Sequence, residues 1–425
     1  MSLLIKGGLV IDPRNQIEAV MDVLAEDGVI QRVAPDITAP DAQVFDAAGK
    51  VVAPGLVDLH VHFRDPGLEY KEDIESGSRA AARGGVTTVV CMPNTKPVID
   101  NAALVQYVMN KGARTGLVNV LTTGCITKGQ QGAELAEIGE LKAAGAVAVT
   151  DDGRPVLSSS LMRKALEYAK MFDIPVMSHS EDLDLVDGGS MNEGYMSTAL
   201  GLRGIPKAAE SVAVSRDVLT AEQVGGRLHV CHVSTRNSIE AIRAAKRRGA
   251  RITAETAPHY FTLTDETCAG FNTNAKMNPP LRDTDDIAAV IEGLQDGTLD
   301  AIATDHAPHH RDEKEVEFEQ AYNGIVGLET SLGLGVTYLV RPGRLTMGQL
   351  IEKMSAAPAE IIGIDRGTLG QGRPADIVVF DPEAAYTVDV REFASKGKNS
   401  PYDGFELFGR VELTVTGGRI VYRRA

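Results

Sequence analysis

Two histidines one residue apart, His60 and His62, stand at the end of the apolar run Gly55-Leu56-Val57-Asp58-Leu59. Side chains two apart on a strand point to the same face. Both imidazoles therefore project together, as a metal held through histidine requires. Arg64 keeps that parity if the strand persists, which sets a fixed cation in the same cavity. A metal pair beside a cation points to hydrolysis of a small anionic substrate.

Eight apolar, β-rich runs place further polar groups in the same way: residues 51–63, 86–93, 117–126, 146–151, 174–180, 228–234, 252–260 and 300–306. Between them, segments such as 102–114, 134–144, 161–172, 208–222, 238–248 and 285–295 carry apolar residues at three- and four-residue spacing. Strand–helix alternation implies a parallel sheet, and eight units close a TIM-like (β/α)8 barrel. Working groups in such barrels sit at the C-terminal strand ends. Thr150-Asp151-Asp152, His179, His232 and Thr304-Asp305-His306 all fall there, with His60 and His62. Four histidines and two or three aspartates at one rim would be poorly satisfied without a metal.

Imidazole and carboxylate donors without thiolate suit Zn²⁺, with Mn²⁺, Co²⁺ or Fe²⁺ also compatible. Two histidines and two carboxylates can hold one ion while the other two histidines share a bridging carboxylate with a second. Such pairs sit ~3.5–4 Å apart and bring the pKa of a bound water to about 7. Parity limits the assignment. Asp151 and Asp152 point to opposite faces unless the strand has already ended. His229 has the opposite parity to His232 and reads as structural. His259 reads as support rather than a ligand, and His306 and His310 as loop residues.

The chain ends differ from the middle. Short strand-like runs at 3–5, 9–11, 20–25, 29–33 and around Val44 are split by turn residues. Similar runs recur at 376–380, 387–390, 410–416 and 418–422. Neither end holds enough strands for a stable core, so the two are expected to pair into one small β-sandwich. The expected division is 1–53 and 366–425 for that domain and 54–365 for the barrel. The charge-dense block 308–323 follows the last barrel strand, where a mobile lid or a solvated loop both fit. A net charge of -15 argues against nucleic acid or an anionic membrane as partner. No segment approaches the ~18 apolar residues of a membrane span, and four scattered cysteines give no disulfide or CxxC pattern. A cytoplasmic protein is expected.

Nearly the whole chain resembles the dihydroorotases of the amidohydrolase superfamily, in their longer bacterial type I form. The motifs that carry this are Pro54-Gly55-Leu56-Val57-Asp58-Leu59-His60-Val61-His62-Phe63-Arg64, Met92-Pro93-Asn94-Thr95 and Asp151-Asp152-Gly153. Ser178-His179-Ser180-Glu181, His232-Val233-Ser234-Thr235, Asn278-Pro279-Pro280-Leu281-Arg282, Thr304-Asp305-His306-Ala307-Pro308-His309 and Gly324-Ile325-Val326-Gly327 complete them. The resemblance implies His60 and His62 on a first zinc, with Asp305 as a further ligand and the proton-transferring base and acid. It implies His179 and His232 on a second zinc, and Asp152 with a hydroxide as the bridge, which decides between the paired aspartates. Arg64, Asn94 and His309 would cradle a substrate carboxylate beside His62, and Asn278 and the backbone near Asn323-Gly324 would meet a ring amide edge. The implied reaction interconverts N-carbamoyl-L-aspartate and (S)-dihydroorotate in pyrimidine (UMP) biosynthesis, in a homodimer compatible with association with aspartate transcarbamoylase.

Two other readings compete. Hydantoinases bridge with a carboxylated lysine, and no lysine lies in 146–152; allantoinase-like sequences have a neutral residue where Arg64 stands. A non-catalytic scaffold for aspartate transcarbamoylase would have lost ligands, whereas every expected one is present.

Overall fold

Gly7-Gly8, which reads as a turn between two short strands, is a bulge inside one long strand. In the computed structural model, which describes residues 2–424, β1 (Ser2–Asp12) pairs antiparallel with β2 (Ile17–Glu26), and the register shifts between Ile5 and Gly8. Gly7 takes φ +68° there, a conformation that penalises any residue with a Cβ. Either side of the bulge β1 gains a different parallel partner: β4 (Gln43–Asp46) against residues 3–6, and β5 (Val51–Pro54) against Leu9 and Val10. β3 (Val29–Ala34) lies on the far side of β2.

From Leu56 the chain becomes a parallel barrel. β6 (Leu56–Val61), β7 (Val86–Cys91) and β8 (Asn119–Thr122) form one arc. After β9 (Val176–Ser178), a small excursion pairs β10 (Met191–Asn192) with β11 (Gly204–Ile205). β9, β12 (Leu228–Val230), β13 (Ile252–Thr256) and β14 (Ala301–Ile302) form the second arc. Val149 joins the arcs by bridging to Gly124 and Val176, and Val61 closes the ring against His306. The fourth expected strand is thus reduced to a single bridging residue, Val149, three residues before Asp152. β6 and β7 are buried at every residue, as strands covered on both faces must be. Helices fall where the periodicity places them, for example Ala102–Thr115, Ser159–Lys170, Ala208–Val224 and Thr284–Asp296.

The chain then returns to the first sheet. β15 (Ile377–Thr387) pairs with β5, and β16 (Glu406–Thr416) and β17 (Arg419–Arg423) follow. Both chain ends therefore meet in one β domain, as expected, and hydrogen bonding makes it a continuous eight-stranded sheet. One side encloses its own apolar cluster, including Leu3, Ile5, Val23, Val379 and Leu413. The other contributes Val51, Ala53, Val378 and Phe380 to the cluster that fills the barrel's outer layer.

Phe380, fully buried at that seam, locks the sheet to the barrel. Phe380→Ala is expected to lower the unfolding free energy by ~3–5 kcal/mol, measured by chemical denaturation. A loss below ~1 kcal/mol would show that the two layers do not depend on each other.

Candidate active site

The dipeptide that parity left open resolves cleanly. Asp151 turns inward to the backbone: its Oδ1 accepts from Ile126 N (2.8 Å) and Thr127 N (3.1 Å), and Oδ2 from the Thr127 hydroxyl. Asp152 enters the cavity. Its Oδ1 lies 3.3 Å from His60 Nε2, 3.5 Å from His179 Nδ1 and 3.5 Å from His232 Nε2. Its Oδ2 lies 3.6 Å from His62 Nε2. Asp305 Oδ1 faces the other pair, 3.0 Å from His62 Nε2 and 3.6 Å from His60 Nε2. His179 Nδ1 and His232 Nε2 are 2.9 Å apart. Asp152 Oδ1 is thus shared by three imidazoles, and one of them, His60, also lies against Asp305 beside His62.

Several of these contacts are too poorly aligned to be hydrogen bonds. His60 Nε2 and Asp152 Oδ1 are both buried and, among the described residues, have no hydrogen-bond partner. Atoms of His60, His62 and Asp305, and of His60, Asp152 and His232, lie close enough together to ligate one ion. Converging imidazole and carboxylate atoms left without partners fit a divalent metal, as buried polar groups otherwise find hydrogen bonds.

Secondary contacts aim the imidazoles. His60 Nδ1 sits 3.0 Å from Glu255 Oε1 on β13, and Glu255 Oε2 lies 3.0 Å from His229 Nε2. His62 Nδ1 donates to Asn94 Oδ1 (3.0 Å), and Glu181 Oε2 lies 3.5 Å from His179 Nε2. Carboxylate and amide oxygens behind a ligating imidazole fix its tautomer and orientation. His229 is structural in this sense, supporting Glu255 while Thr253 Oγ1 meets its Nδ1 at 2.9 Å. His259 is buried beside Tyr260 and outside the cluster of converging atoms.

Electrostatics follow from the same geometry. Burial alone pushes the Asp152 and Asp305 carboxyls up, but the imidazoles hold Asp152 well below the usual range and Asp305 at about 2. Burial alone pushes His60 and His179 down. Asp152 and Asp305 carry His60 well above the ordinary imidazole value, and Asp152 and Glu181 carry His179 to about 10. His62 stays lowered, by burial and by the charge of Arg64.

Arg64 reaches the site by a turn rather than by strand parity. β6 ends at Val61, and Arg64 takes a left-handed φ of 61°. His232 (φ 37°) and Asp305 (φ 47°) are also left-handed, a strained state for residues other than glycine that concentrates at functional positions. The Arg64 guanidinium donates to Pro308 O (3.3 Å) and lies 3.4 Å from His309 Nε2. Among the described residues no carboxylate pairs with it, and burial lowers it to about 10. His309 Nε2 meets Asn323 O at 2.8 Å.

These groups line one cavity of about 320 Å³, with His62, Arg64, Asn94, Asp152, His179, His232, Asn278, Asp305, His309 and Asn323 on its wall. Gly324 is not on that wall. Its N–H donates to Lys276 O, and its carbonyl accepts from Lys314 and Asn399. A Cβ at 324 would fall 2.5 Å from Ala307 O, so only glycine fits this close approach. His306 is no loop residue: it is buried, bridges to Val61, and its Nδ1 accepts from Gly327 N.

Gln130, Arg154, Met277 and Tyr322 line the cavity without having been singled out in the sequence. Glu255 was also missed, although an acidic residue within an apolar barrel strand was a readable signal. Gln130 ends a three-residue 3-10 helix and Tyr322 sits in an irregular segment, so no periodicity points to them.

A raised imidazole pKa means a proton is held at neutral pH and must leave before a metal can bind. Metal binding is therefore expected to release protons and to tighten as pH rises from 6 to 8. Calorimetry in buffers of different ionisation enthalpy reads the release directly. Buffer-independent heats would contradict the placement of His60 and His179 around the ion.

A family profile described as Dihydro-orotase-like matches residues 49–238, and one described as Amidohydrolase family matches residues 221–422. A dihydroorotase from Acetivibrio thermocellus is 58% identical over 421 residues, 99% of each chain. One from Pelobacter propionicus is 57% identical over 425 residues, 100% of each. Among solved structures, L-hydantoinase (dihydropyrimidinase) from Arthrobacter aurescens superposes with a TM-score of 0.89 at 27% identity, over 100% of this chain and 96% of that one. Full-length identity at this level, on a barrel whose imidazoles and carboxylates converge as an amidohydrolase metal centre needs, places the chain in the dihydroorotase family.

Proposed function

We propose that this chain catalyses the reversible opening of the (S)-dihydroorotate ring to N-carbamoyl-L-aspartate, a step of pyrimidine (UMP) biosynthesis. The observation that carries this reading is Arg64. A buried guanidinium with no carboxylate partner among the described residues, on the wall of the cavity that holds the imidazole cluster, calls for an anionic ligand there. Near-full-length identity to dihydroorotases supports the same substrate.

In this reading His60, His62 and Asp305 would hold one Zn²⁺, His179 and His232 would hold a second, and Asp152 would serve both. A divalent ion so held supplies an acidified water and polarises the ring carbonyl. Arg64 takes the substrate carboxylate, with Asn94 and His309 alongside. Asn278 donates through Nδ2 to Glu181 (3.3 Å), and its buried Oδ1 has no partner among the described residues, so it accepts from a ring N–H. Asn323 contributes backbone to the same wall. Asp305 takes the proton of the attacking water and delivers it to the departing ring nitrogen. Ring closure runs the same transfers in reverse.

The reading also takes the protein as a cytoplasmic homodimer able to associate with aspartate transcarbamoylase. Four buried, unpaired cysteines support a reducing compartment. Among the described residues no helix is long and apolar enough to cross a membrane.

Two substitutions test the roles by steady-state kinetics with dihydroorotate. Arg64→Met is expected to raise KM about ten- to a hundredfold through loss of a charge-assisted contact; an unchanged KM would remove Arg64 from substrate binding. Asp305→Asn is expected to lower kcat by at least about a hundredfold. Near-normal turnover in that variant would assign proton transfer elsewhere.

A further inference from the structure

His309 has neighbours that its contact with a carboxylate does not explain. Lys71 Nζ lies 3.5 Å from His309 Nδ1 and 2.8 Å from Glu313 Oε1. Glu313 Oε2 lies 3.4 Å from the same Nδ1, and the Tyr70 hydroxyl donates to Glu313 Oε1 at 2.8 Å. Tyr322 stacks on the imidazole with ring centroids 5.2 Å apart, and Lys71 Nζ sits 4.4 Å from the Tyr322 ring centre. On the other edge, His309 Nε2 faces Asn323 O at 2.8 Å and Arg64 at 3.4 Å. Lys314, behind the ring, holds the carbonyls of Tyr322 and Gly324.

The proton's place on this ring is decided by its two edges. A lone pair at Nε2 would confront the Asn323 carbonyl oxygen, so Nε2 carries the hydrogen and donates. Nδ1 must then present a lone pair, which suits an ammonium donor and repels a carboxylate. Lys71 and Glu313 both face that lone pair. With Lys71 in place its ammonium serves both partners, donating to Nδ1 and neutralising Glu313. Burial, reinforced by the charges of Arg64 and Lys71 and opposed by Glu313, also keeps the ring neutral, down at about 3.

We propose that Lys71 is a positioning residue for substrate binding: it screens His309 Nδ1 from Glu313 and so keeps the imidazole proton on Nε2, the edge beside Arg64. Its kinetic consequence rests on the proposed function, but the tautomer is a property of the ligand-free protein. Without Lys71, Glu313 draws hydrogen to Nδ1. Above the new pKa of His309 the proton moves from Nε2 to Nδ1, and the donor beside Arg64 is lost. Below that pKa a second proton is taken up, both edges donate, and the donor beside Arg64 is restored.

The test is a set of variants read by ¹⁵N NMR of histidine-labelled protein and by kinetics from pH 6 to 8.5. The His309 signal is assigned by its disappearance in His309→Gln. In the wild type, Nε2 is expected to be protonated throughout. Lys71→Met should shift the proton to Nδ1 and raise the KM for dihydroorotate about tenfold at pH 8. That rise should shrink towards pH 6, with kcat within about threefold of wild type. The double variant Lys71→Met/Glu313→Gln removes the carboxylate as well, and should restore both the Nε2 tautomer and most of the affinity. Lys71→Arg, which keeps the charge, should resemble wild type and controls for folding.

A lone pair on Nε2 in the wild type, an unmoved proton in Lys71→Met, or a double variant no better than Lys71→Met would each overturn the inference. The last outcome is what a merely structural lysine predicts. Absence of dihydroorotate turnover in wild type would instead overturn the functional reading, while the tautomer measurement still decides the role of Lys71.

Discussion

Burying the Asp152 carboxylate against three imidazole nitrogens at 3.3–3.5 Å sets the terms for the whole C-terminal rim of the barrel. Removing an ion from water costs several kcal/mol unless neighbouring charges and hydrogen bonds compensate. The raised pKa values of His60 and His179 offset part of that cost, and a divalent ion would offset more by bringing charge to atoms that otherwise lack partners. The strained backbones of His232 and Asp305 follow, because both side chains must turn inward from strands that end two or three residues earlier.

Support for that cluster comes from residues too far away to touch substrate. Glu255 stands between His60 and His229, and Thr253 stands behind His229, so β12 and β13 brace an imidazole carried by β6. Asp58 does comparable work on the backbone, its Oδ1 accepting from His60 N and Thr304 N at 3.1 Å and tying β6 to the segment that closes the ring. The eight-stranded sheet packs against the barrel and joins strands from both ends of the sequence. Precise placement of side chains on rigid strand ends is what catalysis by orientation demands.

Much of this was legible in the sequence, for physical reasons that differ by element. The barrel could be read because buried parallel strands are continuous apolar runs and their covering helices keep a 3.6-residue period. The histidines at 60, 62, 179 and 232 could be read because each ends such a run. What failed to show was governed by single backbone conformations. Gly7 reads equally as a turn or a bulge, and only the pairing of β1 with β2 decides. Arg64 obeys strand parity only while the strand lasts, and its left-handed φ shows that another route brings it to the cavity. Asp151 and Asp152 have the same chemistry, and the backbone amides of Ile126 and Thr127, 25 and 24 residues away in sequence, capture the first. The backbone of Gly324 is committed to Lys276, Lys314 and Asn399, contacts that no local pattern announces.

Six side chains, spread in sequence from His60 to Asp305, are proposed here to surround bound metal. Anomalous diffraction from a crystal of the purified protein, collected on either side of the zinc absorption edge, tests this most directly. Peaks are predicted on each side of the Asp152 carboxylate, one against His60, His62 and Asp305 and the other against His179 and His232. A fully metallated preparation whose anomalous density lay elsewhere, with none among these residues, would contradict the account.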